Sequence, residues 1–346
     1  MADPIGIRIQ NLYKVFGPSP QKHIDDVRAG MSKDELRDRH GHVLGLRDIN
    51  IDMPAGQIQV VMGLSGSGKS TLIRHINRLI EPTAGELWAG EQDVMALGPR
   101  ALRQFRRERT AMVFQKFALF PHFTVLENAE YGLQVRGLGR KARREAAAQW
   151  IERVGLKGYE DHYPNQLSGG MQQRVGLARA LANDAPILLM DEAFSALDPL
   201  IRSDMQQVLL DLQQDIGKTI VFITHDLDEA LRLGDRIAIL RDGEVVQQGT
   251  GQEIVLKPAN DYISSFVREV NRGRVIRCRT LMQRGPAVEG PPVDGSLVIE
   301  EAARLLSAEG KEAANVVNKR GQVLGTVAMA DIIAAMVPPR EEACPA

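Results

Sequence analysis

The chain has 346 residues, with 43 Lys and Arg against 44 Asp and Glu, a formal net charge of -1 and an isoelectric point of about 6.7. This balance provides no basic surface for a polyanion and excludes DNA or RNA as a favoured partner. The two cysteines, Cys278 and Cys344, are far apart and lack metal-ligand spacing, which is typical of a protein from a reducing compartment.

Membrane and export signals are also missing from the sequence. The N-terminus "MADPIGIRIQ" lacks the basic start and apolar core of a signal peptide. No window approaches the roughly 18 uninterrupted apolar residues of a membrane-spanning helix. We therefore expect a soluble chain that reaches a membrane only by docking onto other subunits.

The first predicted element is a strand. "GIRIQNLYKVFG" alternates apolar and polar residues and ends at Gly17. Residues 18–45 interrupt the pattern with prolines and a charged segment, in which Ser32 and Glu35 have the spacing of a helix capping box. We interpret residues 18–45 as a surface insertion.

A strand, a glycine loop and a helix come next. The apolar run Ile58–Met62 leads into "GLSGSGKST", and "LIRHINRLI" continues with apolar residues at helical spacing as far as Ile80. This context is the one in which the pattern G-x-x-x-x-G-K-[ST] forms a phosphate-binding loop. Backbone N–H groups would face the β-phosphate, Lys69 would reach the β- and γ-oxygens, and Ser70 would hold Mg²⁺.

The middle of the chain is predicted to be mostly helical, from about residue 102 to 183. Its basic run, Arg140–Arg144, is typical of a solvated helix face. Two buried strands follow, "PILLMD" and "TIVFITHD", and then "RIAILRDGEVVQQG" with a hairpin turn at Asp242–Gly243. Parallel strands joined by helices predict an α/β cassette.

Polar residues at the ends of these strands are the candidate catalytic groups. Asp191 ends one apolar strand and is placed to hold Mg²⁺, while the adjacent Glu192 can orient or deprotonate the attacking water. His225 ends the next strand, and parallel strands deliver their carboxyl ends to one edge, near the γ-phosphate. Gln115 can reach Mg²⁺ or water through its side-chain carbonyl.

A second glycine motif, "LSGGMQQR", lies about a hundred residues after the first. Ser168 is predicted to cap a helix and so to present a second anion-binding helix terminus. One nucleotide needs only one such loop. In a head-to-tail dimer with two-fold symmetry, each second loop would cover the γ-phosphate of the other copy, so ATP would hold the dimer together.

These motifs, in this order, resemble the nucleotide-binding subunit of an ABC transporter over residues 5 to about 270. The resemblance implies a P-loop NTPase fold with a RecA-like core, a helical subdomain and an antiparallel β-subdomain, and it implies ATP and Mg²⁺ as cofactors. The implied nucleotide-binding residues are Gly63, Ser65, Gly66, Ser67, Gly68, Lys69, Ser70 and Thr71 of Walker A, Ser168, Gly169, Gly170 and Gln172 of the signature, and Asp198 of the D-loop.

The same resemblance assigns the remaining roles. The implied catalytic residues are Glu192 of Walker B, the switch histidine His225 and the Q-loop residue Gln115, and the implied metal ligands are Ser70, Gln115 and Asp191. Phe16 lies where the family places an aromatic ring that stacks on adenine, with Tyr13 as the alternative.

A narrower resemblance rests on "MSKDELRDRHGHVLG", "DEAFSALDPLIR" and "THDLDEALRLGDRIAIL", which look like ATP-binding subunits of glycine betaine, proline and choline importers. It implies osmoprotective uptake of a quaternary amine by a homodimer of this subunit, with a membrane permease and an extracytoplasmic substrate-binding protein. It also implies a peripheral position on the cytoplasmic face of the inner membrane. The segment Phe117–Phe123, "FALFPHF", is either part of the permease-docking surface or core packing.

The predicted domains are a cassette at 1–272, a small α+β domain at 275–337 and a tail at 338–346. The small domain resembles a single CBS domain. Its "GTVAMADII" keeps Asp331 but has Ala328 where the CBS pattern has a hydroxyl residue, which removes a ribose hydrogen bond and argues against an adenosine ligand. A dimerisation or packing module without a ligand is the alternative.

Two other functions compete with an import ATPase. A soluble ABC ATPase of translation or DNA repair usually has two cassettes, long coiled coils or zinc modules, whereas this chain has one compact cassette, no heptad run and no zinc spacing. An ATP sensor that rarely hydrolyses ATP would not need Glu192, and the presence of Glu192 indicates turnover.

Overall fold

A computed structural model describes residues 3–115, 117–318 and 320–337. Their contacts form two compact units that divide between Gln248 and Gly249. The boundary predicted at 272–275 falls within the second unit. The predicted tail, 338–346 with Cys344, lies outside the described residues.

The first unit contains most of the secondary structure. Its strands are β1 (Ile7–Phe16), β2 (Val43–Met53), β3 (Ile58–Met62), β4 (Ala84–Ala89), β5 (Gln92–Asp93), β6 (Thr110–Val113), β7 (Ile187–Asp191), β8 (Thr219–Thr224), β9 (Arg236–Arg241) and β10 (Glu244–Gly249). Its helices are α1 (Ile24–Arg28), α2 (Lys33–His40), α3 (Lys69–Ile76), α4 (Pro99–Glu108), α5 (Val125–Val135), α6 (Arg140–Arg153), α7 (Gly169–Ala182), α8 (Pro199–Ile216) and α9 (Leu227–Leu233).

A six-stranded sheet in the order β10-β9-β3-β8-β7-β6 forms the centre of this unit. Strands β9, β3, β8, β7 and β6 pair in parallel. Every residue of β3, β7 and β8 is buried, as expected where both faces of a parallel sheet are covered. Met62 pairs with Thr224 and Ile223 with Asp191, so the loops after β3, β7 and β8 leave from one edge. The predicted parallel α/β cassette is confirmed.

A second, antiparallel sheet has the order β2-β1-β4-β5. The insertion at 18–45 joins β1 to β2 and holds helices α1 and α2. The predicted capping box is confirmed, since the Glu35 amide donates to Ser32 Oγ at 3.1 Å and the Ser32 amide donates to the Glu35 carboxylate at 3.0 Å. Apolar residues under the insertion form a small core that fixes it against β1 and β2: Tyr13, Val15, Ile24, Val27, Leu36 and Leu44.

The helix after the glycine loop ends earlier than predicted. Helix α3 ends at Ile76, not Ile80, because Arg78 adopts a left-handed conformation with φ of 50°. The Arg78 guanidinium donates to the carbonyls of Val94 and Leu97, and Arg106 Nε donates to the carbonyl of Asn77. These distant partners stop the helix although its apolar spacing continues.

The predicted helical segment 102–183 differs in two places. It contains strand β6, which pairs with β7 and extends the central sheet. The basic run in α6 is not a fully solvated face, because Arg143 Nε lies 3.2 Å from the carboxylate of the buried Glu130 in α5. Helices α5, α6 and α7 pack on one another.

The second unit begins with α10 (Gly251–Leu256), α11 (Asp261–Val267) and α12 (Cys278–Leu281). A three-stranded sheet follows, formed by β11 (Pro292–Asp294), β12 (Ala313–Val317) and β13 (Val323–Ala328), with α13 (Ile299–Glu309) and α14 (Met329–Met336). Strand β12 is parallel to β11 and antiparallel to β13. The predicted helices and strand pair of this region are present.

Candidate active site

The loop from Gly63 to Thr71 joins β3 to α3 at the edge where the parallel strands end. It needs glycine where the chain turns most sharply. Gly63 has φ of 153°, and a Cβ atom there would lie 2.2 Å from the carbonyl oxygen of Leu240. Gly66 and Gly68 also have positive φ, at 78° and 101°. The loop therefore wraps the helix N-terminus in the conformation that directs amides toward an anion.

Lys69 is the first residue of α3 and is only 4% exposed. Its Nζ donates to the carbonyls of Gly63 and Leu64 at 2.8 and 3.0 Å, which holds the amine across the loop. Burial lowers the pKa of Lys69, while the Glu192 carboxylate at 3.7 Å opposes that shift. The ammonium group is thus a partly desolvated charge at the mouth of the loop, where an anion interacts with it strongly.

Asp191 ends β7 and faces the start of α3. Ser70 Oγ donates to Asp191 Oδ1 at 2.8 Å, and Arg74 Nη2 lies 3.1 Å from Asp191 Oδ2. The buried carboxylate is therefore bonded on both oxygens, once by a hydroxyl and once by a cation. Ser70 and Asp191, 121 residues apart in sequence, form the pair predicted to hold Mg²⁺.

Glu192 follows directly and has φ of 46°, a left-handed conformation that is uncommon for a residue with a side chain. Gln115 Nε2 donates to Glu192 Oε2 at 3.1 Å, and Lys69 approaches Glu192 Oε1. Ser195 Oγ, which donates to the Glu192 carbonyl at 2.9 Å, supports the turn. Strained backbone conformations of this kind cluster at functional sites, which agrees with the catalytic role predicted for Glu192.

A cleft of about 480 Å³ opens over these groups. Its lining includes the predicted residues Phe16, Ser65, Gly66, Gly68, Lys69, Ser70, Thr71, Gln115 and Glu192. Phe16 is 38% exposed, and Lys14 Nζ lies over its ring, 4.8 Å from the centroid. The exposed part of the ring is the predicted stacking surface. Tyr13, the alternative aromatic residue, is buried in the core beneath the insertion. Residues of the glycine loop, Gln115 and Glu192 thus meet at one cleft.

Other predicted residues lie away from this cleft. Ser168 Oγ caps α7 by accepting from the Met171 amide at 3.3 Å, and Gln172 Nε2 donates to the Pro164 and Leu167 carbonyls. Asp198 caps α8, accepting from the Ile201 amide at 3.1 Å. Among the described residues, none of the segment 168–172 lines the cleft, and neither does Asp198.

His225 is an exposed residue directly after β8, at the same sheet edge as Gly63, but it does not line the cleft.

The predicted segment Phe117–Phe123 is half-buried. The Phe120 ring lies 5.1 Å from Phe123 and 4.6 Å from Tyr131, centroid to centroid. The Asn128 side chain accepts from the Phe120 amide and donates to the carbonyls of Phe120 and Phe123. These bonds hold the aromatic residues of the segment in place.

Comparison with known proteins identifies the family. Residues 46–195 match the ABC transporter family. The chain is 48% identical to the glycine betaine transport ATP-binding protein OpuAA of Bacillus subtilis, over 95% of this chain and 77% of that protein. It is 47% identical to the glycine betaine/proline betaine transport system ATP-binding protein ProV of Escherichia coli, over 94% and 81%.

The chain belongs to the ABC transporter ATP-binding family. It is also 46% identical to the trimethylamine N-oxide transport system ATP-binding protein TmoW of Ruegeria pomeroyi, over 94% of this chain and 95% of that protein. A dimeric structure of the ATP-binding cassette MJ0796, bound to ADP and Pi, aligns with a TM-score of 0.60 and 34% identity over 71% of this chain and 98% of that one. The subunit is an ATPase, and its relatives favour transport over translation or DNA repair.

Sequence reasoning missed two residues that line the cleft of this ABC subunit, Lys33 and Gly45, and one that contacts Asp191 beside it, Arg74. Arg74 in α3 binds the Walker B carboxylate of Asp191. Lys33, the first residue of α2, lines the cleft from the insertion. Gly45 supports the Phe16 ring, since a Cβ atom at Gly45 would lie 2.6 Å from Phe16 Cε2. The i, i+4 spacing of Ser70 and Arg74 could have signalled Arg74. Lys33 and Gly45 lie in the segment "MSKDELRDRHGHVLG", but sequence reasoning gave neither residue a role.

Proposed function

We propose that this subunit powers the import of a quaternary amine, with glycine betaine or proline betaine as the leading substrates and choline within the same class. The observation that carries the proposal is the identity of 46–48% to glycine betaine and trimethylamine N-oxide transport subunits over nearly the whole chain. These compounds share a small, fully substituted cationic nitrogen. The chain itself would not contact the solute, because its cleft is built for nucleotide phosphates.

Mg²⁺ fits the donor set of the cleft. A hydroxyl oxygen on Ser70, a carboxylate on Asp191 and the side-chain carbonyl of Gln115 are hard oxygen ligands of the kind that Mg²⁺ prefers. The buried Ser67 hydroxyl has no hydrogen-bond partner among the described residues, which suits a loop that surrounds phosphate. When bound, Mg²⁺ would neutralise phosphate charge. Asp191 would hold the metal together with Ser70 and Gln115.

Glu192 is the proposed general base. Its carboxylate would accept a proton from the water that attacks the γ-phosphate. Gln115 is bonded to that carboxylate and would orient the same water. Lys69 would hold the phosphates and leave Glu192 when they bind. His225, at the same edge, would complete the site after a local movement of the loop that follows β8.

A second copy would supply the remaining contacts. Because the signature residues Ser168–Gln172 and Asp198 lie away from their own cleft, we assign them to the γ-phosphate of the partner subunit. The exposed start of α8 supports this assignment, since Leu200 is 73% exposed beside Asp198. A head-to-tail dimer would therefore contain two composite sites.

The remaining partners are a membrane permease and an extracytoplasmic substrate-binding protein. Among the described residues, no helix has the length and apolarity needed to cross a membrane. A peripheral position on the cytoplasmic face, docked through Phe117–Phe123, is the proposed arrangement. Residues 275–337 would act as a single CBS-like dimerisation or regulatory domain. Adenosine binding is disfavoured there because Ala328, which precedes α14, has no hydroxyl for the ribose, and Asp331 accepts a hydrogen bond from Gln283.

Uptake in cells tests the substrate. Cells that express the intact transporter with the wild-type or Glu192→Gln subunit are given labelled glycine betaine, proline betaine or choline at low and high osmolarity. Loss of uptake of one of these solutes in the variant would identify the substrate. Unchanged uptake of all three would refute the quaternary-amine assignment and leave the ATPase assignment intact.

A further inference from the structure

Three histidines and one aspartate meet in the insertion, at a place that the ATPase chemistry does not use. His23 precedes α1, Asp26 lies within α1, and His40 is the last residue of α2. The His23 ring lies 4.4 Å from the ring of His40 and 4.4 Å from that of His42, centroid to centroid. Imidazoles that pack this closely repel one another when they are protonated, so the cluster needs either neutral rings or a shared ligand.

Two of these histidines have free ring nitrogens. His42 is excluded as a ligand because its Nδ1 lies 2.7 Å from the His40 carbonyl oxygen and its Nε2 lies 2.8 Å from that of Pro18. By contrast, the rings of His23 and His40 make no hydrogen bond to another described residue. The contact from His42 instead fixes the backbone of His40.

The carboxylate of the cluster is also unusual. Every other carboxylate of the insertion, whose residues are all described, pairs with an arginine: Asp25 with Arg28, Asp34 and Asp38 with Arg37, and Glu35 with Arg39. Asp26 has only His23, whose Nδ1 lies 4.0 Å from Asp26 Oδ2. One negative charge therefore faces two free imidazoles.

We propose that His23, Asp26 and His40 form a binding site for a divalent transition-metal ion, with Zn²⁺ as the probe. One ligand atom from each residue lies within 4.8 Å of the other two. Tetrahedral Zn²⁺ needs donor atoms about 3.4 Å apart, given metal–ligand distances of about 2.0–2.2 Å. Rotation of the Asp26 side chain, which is 53% exposed, and of the exposed His40 provides most of this contraction. Water would complete the coordination.

The chemistry of the donor set favours a borderline metal over Mg²⁺ or Ca²⁺. Two imidazoles and one carboxylate suit Zn²⁺, whereas Mg²⁺ and Ca²⁺ require oxygen ligands. The site is therefore distinct in metal preference from the oxygen ligands around Ser70 and Asp191.

A bound metal would join the two helices of the insertion. Asp26 lies in the first helix, His23 directly precedes it and His40 ends the second, so coordination would close the loop between the two helices. An ion that binds the folded state alone raises its stability. The second helix begins at Lys33, which lines the nucleotide cleft. Metal coordination would therefore also fix one wall of that cleft.

Zinc titration of the full chain tests the site. A tag-free, metal-stripped protein without nucleotide is titrated by calorimetry and by competition with a chromophoric chelator. The expected result is one Zn²⁺ per chain at this site, with affinity at least about tenfold weaker in Asp26→Asn and in His40→Asn. Asp25→Asn is the matched control, because Asp25 is next in sequence and pairs with Arg28. It should bind zinc as the wild type does.

Two further measurements separate coordination from folding. Zinc should raise the melting temperature of the wild type and of Asp25→Asn but not of Asp26→Asn. X-ray absorption should give nitrogen and oxygen neighbours with imidazole scattering. Absence of zinc binding, equal affinity in all variants, or a sulfur neighbour would overturn the proposal. Should His40→Asn fail to fold, Asp26→Asn carries the same test at an exposed position.

Discussion

At the residue scale, the nucleotide site contains two ion pairs whose partners a bound nucleotide would change. Lys69 and Arg74 each contact one carboxylate of the Walker B pair, Glu192 and Asp191 respectively. Lys69 and Asp191 are buried, and each has a partner of opposite charge, which matters because an unpaired buried charge is costly. When bound, the phosphates would pair with Lys69, and Asp191 would help to hold the metal. The site is therefore organised before its ligand arrives.

Replacement of Glu192 by glutamine tests the proton transfer. The amide keeps the size and the contact with Gln115 but cannot accept a proton, so ATP turnover should fall by about 100-fold or more. Phosphate release by the purified subunit measures the effect. Glu91→Gln, at an exposed position outside the cleft, is the control and should keep wild-type turnover. Wild-type turnover in the Glu192 variant would exclude this residue as the base.

Replacement of Gly45 by alanine tests the adenine position. The new methyl group would lie 2.6 Å from Phe16 Cε2, so the ring must move. Overpacking of this kind costs about 1–3 kcal/mol, and we expect ATP affinity to fall by about tenfold. Calorimetric ATP binding is the measurement, with Gly98→Ala as the control because no atom lies within 4 Å of a Cβ there. Equal ATP affinity in the two variants would mean that adenine does not stack on Phe16.

At the element scale, the strands and loops that carry the motifs were predictable, and their neighbours were not. Buried apolar runs ending in a glycine loop or a carboxylate identify β3 and β7 because both faces of a parallel sheet are covered. Strand β6 has only four residues, and its pairing with β7 makes it a strand. The end of α3 depends likewise on Arg78 reaching distant carbonyls, which local spacing does not encode.

The insertion illustrates the same limit. Its capping box is a local pattern and was predicted from Ser32 and Glu35 alone. The position of the helix that this box begins depends on the apolar contacts of Leu36 beneath it. For that reason Lys33 reaches the nucleotide cleft, although its sequence neighbours assign it no role there.

Replacement of Lys33 by alanine tests whether this helix contributes to nucleotide binding. Its ammonium group is half-exposed and lies 3.9 Å from Asp242, so its interaction with a nucleotide is worth less than about 1 kcal/mol. We expect ATP affinity to fall by about two- to fivefold, with a larger loss at low salt. Lys22→Ala, in the same insertion but outside the cleft, should leave ATP affinity unchanged. Loss of affinity in both variants would indicate a general charge effect.

At the scale of the whole molecule, the distribution of the motifs is the main argument for a dimer. Walker A, Walker B and the Q-loop residue meet at one cleft, while the signature and the D-loop residue lie outside it. A single subunit therefore has one incomplete site and one unused set of anion-binding groups. Two-fold symmetry would bring these halves together twice, so that ATP binding and subunit closure become one event.

ATP-dependent dimerisation is the most direct test of this account. Light scattering of the Glu192→Gln subunit is measured without nucleotide, with MgADP and with excess MgATP. Because the variant should bind ATP without hydrolysing it, we predict a monomer in the first two conditions and twice the monomer mass in the third. A monomer in saturating MgATP, with ATP binding verified by calorimetry, would contradict the composite site.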